Sequence, residues 1–294
     1  NVSDIRLIEF LDEEGKRCEA PAVSGRMLKH WNYEAMRNLA EQNSLSLCDG
    51  CKIGEPIRPG KWENRKLIQV NSPQKESVGN CIICDTHGYL IAQGAETEGE
   101  GGISARRNSR IYFSWLLPTL SSLSVWRQVI HTRVSQQEEM AAGQSAAQMI
   151  YNKTYASGTY AFISAVDIDR IGLVELELGS NSPYAYDNNE KKKRAEVIIA
   201  AYHQMLTGKM GASLSHALPH GRPLEVLIVY SERGSLPFPI SPIYTNYLFE
   251  TLGVMPEHAQ FLYWAAEKIG ISDHRLRIKD SIREVFDELK GKIS

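Results

Sequence analysis

Two cysteine pairs, Cys48-Asp-Gly-Cys51 and Cys81-Ile-Ile-Cys84, constrain this chain more than any other feature. Two thiolates three positions apart on a turn can grip one tetrahedral Zn²⁺, and a second such knuckle completes its shell. The segment from Lys52 to Asn80 that separates them is longer than the commonest spacing of such sites. Two unrelated buried or redox-active pairs therefore stand as the alternative. Four thiolates leave no open coordination position, so the zinc expected on Cys48, Cys51, Cys81 and Cys84 is structural. The fifth cysteine, Cys18, stands alone, and His87 is a less favoured substitute ligand. An odd count, close pairing and no recognisable secretory segment place the chain in a reducing compartment, hence the cytoplasm.

Around these pairs the composition shifts. Residues 47–102 hold four of the five cysteines, many Gly and Pro, scattered charge and few long apolar runs. This reads as an insertion that metal binding would fold, with Ala95–Gly102 as an acidic loop. The flanking parts, 1–46 and 103–294, carry the periodic elements. Ile5–Leu11 and Arg17–Val23 flank the turn Asp12-Glu13-Glu14-Gly15 and predict a hairpin. Helices are expected from Ser24 to about Asn43, over Asn189–Leu206, Ile243–Leu252 and Glu257–Ile269 (stopped by Gly270), and over Asp280–Lys290. Strands are expected at Ile111–Leu117 (ended by Pro118), Val129–Val134, Tyr155–Ile168 and Leu224–Tyr230, the last central. Gln136–Gln148 reads as a protruding connection. The order is α+β, without the strict alternation of a doubly wound sheet. No run is long and apolar enough to cross a membrane.

The charged residues cluster. On a helical wheel, Arg26, Lys29, His30, Tyr33 and Arg37 share one narrow sector, opposite Met27, Leu28, Trp31, Ala35 and Leu39. Ser24 is a natural N-cap, and Gly25 permits close backbone approach. Such a helix suits a polyanion, or is simply a solvated surface helix. A formal net charge of −2 excludes indiscriminate coating of nucleic acid and demands a local site. Arg106, Arg107 and Arg110, with Asn108 and Ser109 between them, suit phosphate oxygens or plain solvent. His131 and Arg133 alternate onto one strand face. Lys191–Arg194 opposes a helix macrodipole, which favours solvent or a partner. The stretch 208–216, with Lys209, Ser213 and Ser215, can offer backbone amides to an anion but lacks the spacing of a P-loop. Asp167 and Asp169 favour a structural role over a metal pair. No nucleophile elbow, His-Glu-x-x-His or acid–base pair is present, so no catalytic residue is assigned.

Several stretches together carry a family resemblance: PAVSGRMLKHW, THGYLIA, RRNSRIYFSWLLPTL, HTRV, AAQMIYNKTYASGTYAFISAVDIDRIG and GASLSHALP, in that order. They resemble the DevR-type CRISPR-associated backbone subunit of Cascade, the Cas-seven family, most like subtypes I-A or I-B, from about Ala20 to Ser241. The resemblance implies an RRM-like (ferredoxin-like) palm from 1–46 and 103–294, inserted fingers at 47–102 and a thumb hairpin at about 131–151. It implies a non-enzymatic subunit for antiviral defence that binds CRISPR RNA, leaves it free to pair with a target DNA strand, stacks with copies of itself in a filament and joins other Cascade subunits. Cleavage would belong to a separate nuclease.

Residue by residue, the resemblance places Ser24, Arg26, Lys29 and His30 on the RNA backbone, with Lys209, Ser213 and Ser215 facing the same groove. Arg106, Arg107 and Arg110 would lie where fingers meet palm. His131, Arg133, Gln144, Gln148 and Met149 would belong to the thumb, near RNA or a neighbouring subunit. An RRM-like core needs a strand before its first helix, so the first strand is expected upstream of Asn1. The four-cysteine insertion is not general in the family. The competing readings are an RNA-processing ribonuclease using His30, His131 or His216, and an autoregulatory nucleic-acid-binding protein, for which no helix-turn-helix is visible.

Overall fold

The computed structural model describes residues 2–3, 5–93, 103–121, 125–134, 148–208, 221–267 and 270–293. Among these residues there are seven α-helices: α1 (Gly25–Gln42), α2 (Asp49–Lys52), α3 (Gln74–Asn80), α4 (Ile82–His87), α5 (Asn188–Leu206), α6 (Tyr247–Val254) and α7 (Ile282–Lys290). None of the described helices is long and apolar enough to cross a membrane. The strands form several small sheets, giving a mixed α/β chain of two compact units, each assembled from discontinuous segments.

The first unit comprises Asn1–Gly25, Ser114–Ile163 and Phe238–Val254. Its opening hairpin pairs Leu7–Leu11 with Arg17–Pro21. The turn forms because the Asp12 carboxylate accepts hydrogen bonds from Glu14 N and Lys16 N at 3.1 and 2.7 Å, while Gly15 supplies a φ of 78°. A longer antiparallel hairpin pairs Val125–Val134 with Gln148–Ser157, and Val2–Ser3 adds to it in parallel. The hairpin thus begins earlier than the sequence predicts. The expected strand Ile111–Leu117 is two short ones, Ile111–Phe113 and Leu117–Pro118; the latter pairs with Tyr160–Ala161. The expected helix from Ile243 begins only at Tyr247, because Tyr244 N turns back to Ser241 O at 3.2 Å.

The second unit comprises Arg26–Phe113, Ser164–Pro237 and Met255–Ser294. Both boundaries expected for the cysteine insertion fall inside it. Its main core joins Met36 and Ala40 of α1, Ile82 and Ile83 of α4, Ile111, Ile171, and Ala195 and Ile198 of α5. The Asp187 side chain caps α5 by accepting from Glu190 N at 2.9 Å. Ser281 caps α7 in the same way, with Glu284 three positions on. A smaller core places Ile199 with Val285 and Phe286 of α7 against a three-stranded sheet.

That sheet corrects two expectations. Gln260–Ala265, expected within a helix, is a strand and lies in the middle, antiparallel to Glu225–Tyr230 and parallel to Leu276–Ile278. Phe261, Leu262 and Tyr263 are buried in succession, so both strand faces are covered and the run lacks the alternation that marks a half-exposed strand. Glu225–Tyr230, expected to be central, is therefore at the edge of this sheet. Tyr155–Ile168 is not one strand either: its last piece, Ser164–Val166, pairs with Ile111–Phe113.

Candidate metal centre and basic helix

The four paired cysteines converge. Their sulfur atoms all lie within 4.8 Å of one another, and Cys48 Sγ is 3.7 Å from Cys84 Sγ. A tetrahedral Zn–S bond of about 2.3 Å sets sulfurs about 3.8 Å apart, whereas a disulfide needs about 2.05 Å. Each knuckle is a helix start: Cys48 precedes α2, and Cys81 precedes α4 with its sulfur accepting from Cys84 N at 3.3 Å. Gly60 N also donates to Cys48 Sγ, at 3.4 Å. Such N–H···S bonds favour thiolates and orient them. Close packing builds the first knuckle, since a Cβ on Gly50 would stand 2.1 Å from Ile57 O and one on Gly60 2.7 Å from Gly50 N. Hydrogen bonds from Cys51, Cys81 and Cys84 hold the Cys48 thiol well below its ordinary value, and bonding to Cys48 pushes Cys51 and Cys84 well up. Three buried sulfurs and one half-buried sulfur so coupled need a cation to become four thiolates. The donor set fits Zn²⁺.

The knuckles are fastened to α1. Tyr33 donates its hydroxyl to Cys51 O at 2.9 Å, Lys29 Nζ donates to His87 O at 3.0 Å, and Arg37 Nη1 donates to Lys52 O at 3.1 Å. Three residues of the supposed polyanion face are thus half-buried or buried under the cysteine module, and Tyr33 belongs to the core. Conversely Met27, assigned to the buried face, is exposed. The wheel placed the residues correctly relative to each other, but the module covers part of the sector. Arg26 and His30 remain exposed. Burial, with Arg58 nearby, pushes Lys29 down to about 8. Arg58, from the segment between the knuckles, stands 5.3 Å over the Tyr33 ring, which His30 stacks on and His87 meets edge-on. Thr86 Oγ1 donates to Ile82 O, so it accepts from His87 Nδ1–H at 3.2 Å. Burial and the Lys29 charge hold His87 well below its ordinary value, and its Nε2 is buried without a hydrogen-bond partner among the described residues.

Beside this lies a buried ion network that sequence reasoning missed. The Asp85 carboxylate accepts from Arg107 Nη2 at 2.5 Å, Arg194 Nη1 at 3.2 Å, Gly172 N at 3.1 Å and the Tyr186 hydroxyl. Arg194 also pairs with Glu190 at 2.9 Å, bonds Val78 O and Gly79 O, and lies 4.0 Å over the Tyr186 ring. Arg110 pairs with Glu175 at 2.9 Å.

The expectation that Arg107 and Arg110 face RNA is therefore corrected: they are 2% and 1% exposed and hold the fold together. Arg194 is likewise internal, although Lys192 and Lys193 beside it are exposed. Arg106 is exposed, and half-buried Ser24 precedes α1. His131 and Arg133 lie on one strand of the long hairpin; Gln148 and Met149 lie on the other, paired with Val134 and Arg133. Gln144, Lys209, Ser213, Ser215, His216 and the acidic loop 95–102 lie outside the described residues. Sequence reasoning also passed over Arg58, because it is one of six cations between the knuckles (Lys52, Arg58, Lys61, Arg65, Lys66 and Lys75) and nothing in the sequence singles it out.

Comparison with known proteins gives a consistent picture. The family described as "CRISPR-associated negative auto-regulator DevR/Csa2" matches residues 1–251. A Methanocaldococcus jannaschii protein described as CRISPR-associated protein Cas7/Cst2/DevR is 25% identical over 96% of this chain and 88% of its own. A Saccharolobus solfataricus protein, CRISPR-associated aCascade subunit Cas7/Csa2 2, is 24% identical over 74% of this chain and 68% of its own. The fold is similar, at a TM-score of 0.51 and 12% identity, to a chain of a structure described as "CRISPR RNA-guided surveillance complex, pre-nicking", covering 98% of this chain and 97% of that one.

Proposed function

The chain belongs to the DevR/Csa2 family of CRISPR-associated proteins, and from that premise we infer that it is a Cascade backbone subunit that holds CRISPR RNA. The observation that carries this reading is the family match over residues 1–251, which spans the basic helix, the cysteine module and the long hairpin. The chemistry supports it. A subunit serving many guides needs phosphate contacts, which give affinity without sequence preference. Arg26 of α1 and Arg106 are exposed cations suited to that task, and His30 is an exposed hydrogen-bonding ring beside them on α1. Lys29, Ser24, the loop with Lys209, Ser213 and Ser215, and the thumb residues His131, Arg133, Gln144, Gln148 and Met149 complete the proposed RNA path.

On this reading α1 and α5 are the helices of an RRM-like palm, and copies stack as a filament in the cytoplasm beside other Cascade subunits. The guide stays exposed to a target DNA strand. Zinc on Cys48, Cys51, Cys81 and Cys84 is structural, and the chain itself cuts nothing.

Purification without nuclease treatment, with bound nucleic acid and particle mass measured together, tests the reading. Ribonuclease-sensitive nucleic acid in large multimers is the expected outcome. A monomer that also ignores added CRISPR RNA would refute it. RNA cleavage lost on replacing His30, His131 and His216 would favour a ribonuclease instead.

A further inference from the structure

The buried and half-buried arginines of the second unit pair almost throughout with carboxylates: Arg37 with Glu34, Arg107 and Arg194 with Asp85, Arg110 with Glu175, Arg275 with Asp273. Lys29, His30 and Arg58 break this pattern. None of the three makes an ion pair among the described residues, yet they gather around Tyr33 and His87. Arg58 lies over the Tyr33 ring, and its charge helps depress Lys29. Arg58 Nη1 is buried with no hydrogen-bond partner among the described residues, although the residue itself remains partly exposed. Behind them the neutral ring of His87 supplies no compensating charge. A partly buried guanidinium and ammonium brought together without an anion repel each other and keep unmet donors, both costly unless an anion arrives.

We propose that the cysteine module is itself part of the nucleic-acid site: Arg58, carried between its knuckles, joins Lys29 and His30 of α1 to hold one backbone phosphodiester of RNA. The module thereby has two tasks. Its metal fixes the loop that carries Arg58, and the loop delivers a cation to a helix whose own Lys29 and Arg37 are engaged with the module's backbone carbonyls. Guanidinium and ammonium donate to the phosphate oxygens, and neither group reads a base, as a guide-neutral subunit requires. This rests on the RNA-binding reading above and adds to it a residue outside the helix.

The test is fluorescence anisotropy of the full zinc-loaded chain with a labelled single-stranded RNA over a range of salt. Arg58→Gln is expected to weaken binding about tenfold and to lower the slope of log K against log salt by about 0.7. Zinc content and melting temperature should stay at the wild-type values, showing that the knuckles survive. Arg65→Gln, at the tip of the Gly60–Gln69 hairpin, should leave binding unchanged. Wild-type binding with an unaltered Arg58→Gln variant would overturn the proposal and leave the RNA-binding reading standing. Equal loss in Arg65→Gln would overturn it too, reducing the effect to general charge. If ³¹P NMR shows inorganic phosphate captured through Arg58 while RNA affinity is untouched, the pocket serves free phosphate and the proposal fails. A wild-type chain that does not bind RNA overturns both readings.

Discussion

Replacing Asp85 should damage this protein more than replacing any other single carboxylate whose contacts are described above. The carboxylate is fully buried and serves two guanidiniums, a backbone amide and a phenol. Arg194 would retain Glu190, but Arg107 would keep only carbonyl partners: Asp85 O, Leu173 O and Arg170 O. Asp85→Asn keeps the volume and removes the charge, so it leaves a buried guanidinium without neutralisation. Breaking one partner of a buried pair costs about 3–5 kcal/mol. At about 2–4 °C per kcal/mol for a chain of this size, that lowers the melting temperature by about 10 °C. Glu190→Gln, which removes an i,i+4 pair whose acid is partly exposed, should cost about 0.5 kcal/mol. Urea unfolding followed by circular dichroism measures both. In a double-mutant cycle, Asp85→Asn with Arg107→Met should cost about 1.5 kcal/mol less than the sum of the single changes. If Asp85→Asn lost no more than Glu190→Gln, or if the cycle were additive, the charge-pairing argument would be refuted.

Other changes give separable outcomes. Cys48→Ser with Cys81→Ser should abolish zinc by elemental analysis and lower the melting temperature; full melting stability without bound zinc would sink the metal reading. Gly50→Ala should also reduce zinc content, because its Cβ collides with Ile57 O, whereas Gly179→Ala, with open space around it, should not. Lys29 titrates near 8 in the fold against 10.5 in its ordinary state, mainly through burial. Between those values the unfolded chain binds the extra proton, so this residue makes stability rise with pH. Urea midpoints at pH 8 and 9.5 should therefore rise more in wild type than in Lys29→Met; equal changes would contradict the burial of Lys29.

Local chemistry was legible in the sequence, and long-range pairing was not. The Asp12–Gly15 turn and the limits of α1, α5 and α7 follow from residues within a few positions of one another, and the convergence of the two distant cysteine knuckles follows from the metal chemistry that pairs them. Gln260–Ala265 was misread because an apolar run buried on both faces carries no period. The α1 wheel was right in angle but silent about what would cover Lys29, Tyr33 and Arg37. Arg107 and Arg194 looked like surface charge because Asp85, which buries them, is distant from both in the chain and sits one residue past Cys84.

The structure sorts the cations by their partners in a way composition never could. Arg107, Arg110 and Arg194 have carboxylates and spend their charge on the fold. Lys29 and Arg58 lack ion-pair partners among the described residues, although they lie beside the same cysteine module. One helix-capping knuckle thus carries Asp85, which neutralises arginines inside, while the segment before it carries Arg58, left positive. A protein that binds a polyanion at a formal charge of −2 needs that division: acids consumed inside, and cations left without them at one local face.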